Sequence, residues 1–130
     1  MRFSIRHETL YRYSGPVGLA PHILRLNPRT EGARVFAACR SLGIAARFVS
    51  GYQAHAESQD GRRHLHAWPE VFLPGLGWRG FDATHGTVVN DGHVALCAAP
   101  EQSATMPIEG GFFGDGITAA LDYHVQIASW

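Results

Sequence analysis

Cysteine is scarce in this chain. Two residues of 130, Cys39 and Cys97, lie far apart in apolar surroundings. That pattern favours reduced, buried thiols in a cytoplasmic protein over a disulfide. Charge of one sign is lacking as well: eleven basic and eleven acidic residues cancel, and no basic stripe or charge run interrupts them. Nucleic acid and anionic membrane are therefore not expected as partners. Zero net charge weakens colloidal repulsion, which favours self-association, with a homodimer the simplest form. Long apolar runs are missing too, and none approaches the ~20 residues of a membrane span. The opening Met1–His7 is polar and alternating, without the apolar centre of a secretory leader. No repeat or low-complexity tract is present.

What remains is a globular composition, 45% hydrophobic and 17% charged. A chain of 130 residues supports a single domain. At that size folding buries roughly two-thirds of the extended chain's surface.

Residues 2–13 alternate as a strand, with Phe3, Ile5, Thr9, Tyr11 and Tyr13 marking the period. Ser14-Gly15-Pro16 is a turn signal, and Val17–Leu26 is a second extended stretch, so the first 29 residues read as a hairpin or two loosely paired strands. Thr30 can cap a helix, Glu31 suits its first turn, and Val35, Cys39 and Leu42 share one face with Phe36 beside them. Gly43 is placed to end that helix in the left-handed conformation. Strands are expected at 44–52, 64–73, 78–83, 93–98 and 121–127. Loops are expected at 53–63 and 99–117. One helix followed by antiparallel strands predicts an α+β domain.

His66 and Asp82 are the first candidates for chemistry. If Leu73 pairs with Gly77 across the turn Pro74-Gly75-Leu76, His66 lies opposite Thr84 and Asp82 is its diagonal neighbour, about 7–8 Å away on the same face. From there a carboxylate can reach imidazole Nδ1. A longer turn would place the two on opposite faces, so spacing alone leaves the pair open. The histidines also suggest a metal. His64 and His66 share a strand face, with His55, His85 and His93 in flanking segments, and together with Asp82 these could supply N and O donors to zinc. The spacing matches no dedicated metal motif, so scattered surface histidines are the plainer reading and no metal or cofactor is expected. Pro69 within a strand removes a ladder N–H and predicts an edge or bulge on that side.

Three stretches carry a resemblance: Leu42-Gly43-Ile44-Ala45-Ala46-Arg47-Phe48-Val49-Ser50-Gly51-Tyr52, then His66-Ala67-Trp68, then Leu73-Pro74-Gly75-Leu76-Gly77-Trp78-Arg79-Gly80-Phe81-Asp82. They resemble the core of the bacterial transglutaminase-like family, papain-fold thiol enzymes related to cysteine proteases. Tyr11–Val17 and Leu24–Arg29 resemble the opening of that family's N-terminal β domain. The resemblance implies a reduced papain-like core, with one main helix packed on an antiparallel sheet and a β-hairpin remnant before it. Residues 1–29 would be that remnant and 30–130 the truncated core.

The resemblance also implies a Cys-His-Asp triad in which a thiolate attacks a carboxamide, and water or an amine resolves the thioester. His66 would be the base and Asp82 its orienting acid, with Trp68 and Tyr52 walling the substrate site. A peptide or protein amide would be the substrate or ligand.

The nucleophile is the departure. The family's cysteine opens the core helix about three turns before the position of Arg40, and counting back twelve residues reaches Pro28. No Gly-Val-Cys motif occurs anywhere in the chain. The chain reads as though an internal deletion joined its first 29 residues to the middle of the helix, near Arg29 to Ala33. Cys39 lies eleven residues too late, roughly 16 Å down the axis. Cys97 sits in the apolar strand Val94–Ala98. Neither has an evident means of lowering its pKa.

The expectation is a transglutaminase-like domain that retains His66 and Asp82 and is catalytically silent. Two alternatives stay open: a peptide-binding module, or weak amide hydrolysis through a displaced Cys97 or a histidine-bound metal. Loss of half a helix should also expose apolar surface and leave the fold marginally stable or dimeric.

Overall fold

A computed structural model describes residues 2–24, 30–55, 62–105 and 108–130, with backbone alone at 24, 30–35 and 108. The cap at Thr30, the face position of Val35 and the proposed join near Arg29 to Ala33 therefore fall on side chains outside the described set.

Eleven strands, one α-helix and one short 3-10 turn (Gln102–Thr105) form the regular structure among the described residues. Strand β1 is Phe3–Tyr13, β2 is Gly18–Leu19 and β3 is Ile23–Leu24. Helix α1 is Thr30–Ser41. Strands β4 (Ala46–Gln53), β5 (Leu65–Leu73), β6 (Gly77–Asp82), β7 (Thr87–Val88) and β8 (His93–Ala99) follow. Strands β9 (Ile108–Glu109), β10 (Phe112–Phe113) and β11 (Ala119–Ser129) end the chain.

These strands make several antiparallel sheets, and the fold is mostly β. The α+β reading, one main helix packed on one antiparallel sheet in a papain-like core, is thereby corrected. The segments read as an N-terminal hairpin and a C-terminal loop are instead used in additional sheets. The hairpin is corrected too, because β1 pairs with β11 over its whole length, from Phe3↔Ser129 to Tyr13↔Ala119. Beyond Tyr13 the same course continues: β2 pairs with β10 and β3 with β9. The turn signal at Ser14 does not fold the chain back on itself. Ser14 N–H donates to Thr118 O and Thr118 N–H donates to Ser14 Oγ, both at 3.0 Å, which ties this corner to the C-terminal arm.

The helix and the five-stranded sheet, in the order β7-β6-β5-β4-β8, are inserted between those two arms. Gly43 ends the helix at φ 75°, as its position predicts. Opposite residues share a sheet face, which divides the five-stranded sheet cleanly. Ala46, Phe48, Ser50 and Tyr52 lie on one face with Ala67, Pro69 and Val71. Phe36 of α1 packs there with Ala46, Phe48 and Val71, its ring 4.2 Å from that of Phe48. Val49, Gly51, His66 and Trp68 lie on the other face.

Phe48, Val49 and Trp68 are each 1% exposed, and burial of such side chains contributes about 1.5–3 kcal/mol apiece. The β5–β6 ladder ends at Glu70↔Gly80, next to Pro69, which has no N–H to extend it. None of the helices in the described residues is long and apolar enough to cross a membrane.

Candidate functional site

The turn between β5 and β6 settles whether His66 and Asp82 share a face. Leu73 pairs with Gly77, and left-handed φ values at Gly75 (81°) and Gly77 (74°) shape the tight turn. This register puts His66, Trp68, Gly80 and Asp82 on one face. His66 Nε2 lies 2.7 Å from Asp82 Oδ2, with the two side chains 6% and 0% exposed. The imidazole nitrogen that meets the acid is therefore Nε2, where the sequence suggested Nδ1.

Asp82 is a wider hub than a triad acid needs. Its Oδ2 also lies 2.6 Å from His85 Nδ1 and 3.0 Å from His93 Nε2. Its Oδ1 accepts the backbone N–H groups of Thr84 at 3.0 Å and His85 at 3.2 Å. The sequence offers His85 and His93 with Asp82 as metal donors but favours scattered surface histidines, whereas the structure gathers both at the carboxylate. His85 comes in because the chain turns immediately after β6, bringing position 85 back over the carboxylate. His93 comes in through a register shift: Ser50 pairs with Cys97, but Gly51 pairs with Ala95, so Leu96 is the extra residue of a bulge. Uninterrupted alternation would have put His93 on the face of Cys97. The bulge moves it to the face of His66, where its side chain is fully buried.

Trp68 lies between these groups, its ring 6.0 Å from that of His66 and 5.1 Å from that of His93. It is 1% exposed, so it backs the histidines instead of lining an open cleft. Glycine at 51 makes room for it. A Cβ there would strike the Val94 carbonyl and stand 2.8 Å from Trp68 Cη2. Tyr52 is not brought to the site. It lies on the opposite face, 3% exposed, with its hydroxyl 2.9 Å from His7 Nδ1. Of the other histidines considered for a metal, His64 bonds the Tyr123 hydroxyl, and His55 lies beside Gly92.

Burial alone would raise the Asp82 carboxyl. Hydrogen bonds from His93 and His85, with the charge and hydrogen bond of His66, outweigh that and hold it well below its ordinary value. Burial lowers His66, and its two imidazole neighbours add to this, against the opposing pull of Asp82. The result at neutral pH is an ionised carboxylate facing two backbone N–H groups and three imidazole nitrogens, and a neutral His66 able to accept a proton. Both Asp82 and His66 also belong to a group of potential metal ligands, since one ligand atom from each of His66, Asp82 and His85 lies within 4.8 Å of the others.

Neither sulfur is presented to this face. Cys39 packs against the Phe36–Phe48 cluster behind the sheet. Cys97 lies opposite Ser50, on that same rear face, with Sγ 3.8 Å from Ala104 O.

Comparisons with known proteins agree with the resemblance in the sequence. A model of the transglutaminase-like superfamily matches residues 31–83, and one of the bacterial transglutaminase-like N-terminal region matches residues 3–42. The chain is 29% identical over 94 residues to a Mycobacterium leprae (strain TN) protein described as uncharacterized protein ML0607. That match takes in 68% of this chain and 32% of the relative, so the chain spans about a third of the curated protein it matches. No solved structure matches.

Proposed function

We infer from the matches to the bacterial transglutaminase-like N-terminal region at residues 3–42 and to the transglutaminase-like superfamily at residues 31–83 that this chain is a catalytically silent relative of thiol acyl-transfer enzymes. The family chemistry forms a thioester with a peptide carboxamide and passes the acyl group to water or an amine. This chain retains the base, His66, and the acid that orients it, Asp82. The observation that carries the reading is a base and acid 2.7 Å apart on one sheet face while both cysteines lie with the other. With Nε2 committed to Asp82, Nδ1 is the His66 nitrogen left to take a proton from a thiol. Neither Cys39 nor Cys97 shares its face. Members of such a triad act as a unit, so base and acid without the nucleophile retain little of the rate.

The corresponding ligand is a peptide or protein amide held near His66, without the bond cleavage that a thiol would bring. The test assays ammonia release and amine incorporation with glutamine-containing peptides, before and after iodoacetamide. The expected result is no turnover above buffer in either condition. Turnover abolished by iodoacetamide would overturn the reading and identify a working thiol.

A further inference from the structure

Hydrogen bonding alone does not account for what converges on Asp82. A carboxylate oxygen has two in-plane lone pairs, yet three imidazole nitrogens lie 2.6, 2.7 and 3.0 Å from the same Oδ2. We propose that His66 Nε2, His85 Nδ1 and Asp82 Oδ2, which lie within 4.8 Å of one another, are the ligands of a mononuclear site for zinc or a similar divalent transition-metal ion, with His93 Nε2 holding the carboxylate from the side.

The donor set fits that class. Two imidazole nitrogens and one carboxylate oxygen, with a position left for water, suit zinc and its first-row neighbours, whereas magnesium and calcium prefer all-oxygen shells. Tetrahedral ligands at the usual zinc distances stand about 3.4 Å apart, so the 2.6 and 2.7 Å separations of His85 and His66 from Asp82 would open by roughly 0.7–0.8 Å on loading. His85 has the most freedom to give way, since its side chain is 35% exposed while Asp82 and His93 are fully buried and His66 is 6% exposed. The exposed edge at His85 is also the route by which an ion would enter.

The supporting groups are in place. Asp82 Oδ1 is fixed by the N–H groups of Thr84 and His85, which leaves Oδ2 directed at the three rings. Asn90 fixes His93 from behind, since its backbone N–H can donate to Nδ1 at 3.2 Å while the ring proton on Nε2 faces Asp82. Loading moves the ring protons of His66 and His85 to the other nitrogen of each ring and forms two N–metal bonds and one O–metal bond, with water completing the shell. No redox partner is needed.

This site stands independently of the silent thiol chemistry, because its readout is metal stoichiometry and a ligand-field spectrum, not turnover. The test is calorimetric titration of the chelator-treated full chain with zinc chloride, with cobalt(II) as the spectroscopic probe. We expect one equivalent to bind and cobalt to give the intense visible bands of a four-coordinate nitrogen–oxygen site. His85→Ala and His93→Ala should each weaken zinc binding by at least about tenfold, judged by losses of 10–100-fold when only supporting groups are removed. His124→Ala, on the exposed side of β11, should leave binding unchanged. Circular dichroism establishes that each variant is folded, and the half-exposed His85 is the position least able to disturb the core. Absence of stoichiometric binding would overturn the proposal, as would one-equivalent binding unchanged in both folded His85→Ala and His93→Ala.

Discussion

Asp82 and His93 are joined at 3.0 Å although their strands, β6 and β8, are separated in the sheet by β5 and β4. Three strand spacings in a flat sheet would keep them about 14 Å apart. The five-stranded sheet must therefore curl toward the His66 face, and Trp68 fills the hollow that results. Gly51 and Gly80 leave room for that ring, which stands 2.8 and 3.0 Å from where a Cβ would be.

Gly51→Ala should test the curl. The added methyl would meet the Val94 carbonyl as well as Trp68, and backbone cannot yield as a flexible side chain can. We expect a loss of about 1–3 kcal/mol in urea unfolding, the usual range for overpacking.

Asp82→Ala should be more damaging. It strands three imidazoles and two backbone N–H groups around a fully buried position. Removing one member of a buried, hydrogen-bonded charged set costs about 3–5 kcal/mol. Asp82→Asn keeps the volume and an acceptor oxygen and should cost clearly less. Denaturant midpoints of the two variants check this ordering.

Phe36→Ala should cost about 3–5 kcal/mol, the range for truncating a buried aromatic residue. Among the described helix side chains, Phe36 is the one buried in the core cluster, against Phe48. Helical circular dichroism should fall with it, while the strand signal from β1 and β11 persists at low denaturant.

Acid should destabilise the chelator-treated protein in two windows. His66 and His7 are both lowered by burial from an ordinary value of 6.5. The unfolded chain then binds more protons than the native one around and below pH 6.5, so stability present above it falls as pH drops. Asp82 is lowered from 3.8, so a second loss begins as pH passes below that value. Urea midpoints measured from pH 8 to 3 should decline throughout, and a midpoint that rises between pH 7 and 5 would contradict the assignment.

The site was legible in the sequence only where its contacts are local. The hairpin from Leu73 to Gly77 fixes the His66–Asp82 relation within a few residues, and the alternative register could be stated in advance. The bulge at Leu96 has no comparable signal: nothing in Val94-Ala95-Leu96-Cys97 marks a skipped residue, yet it decides which face His93 occupies. Likewise, the alternation of Phe3–Tyr13 announces a strand, but its partner lies more than a hundred residues away and leaves no trace in the spacing. Reading Ser14-Gly15-Pro16 as a hairpin turn followed local chemistry that the distant pairing overrode. The same long-range closure turned an expected helix-on-sheet domain into a mostly β one.

His66 has its acid behind it and no thiol in front. Intact-mass spectrometry of the protein held with a glutamine-containing peptide, quenched in acid to preserve thioesters, tests this most directly. The mass should stay unchanged at every time point. An acyl adduct mapped to Cys97 or Cys39 and lost in His66→Ala would contradict it.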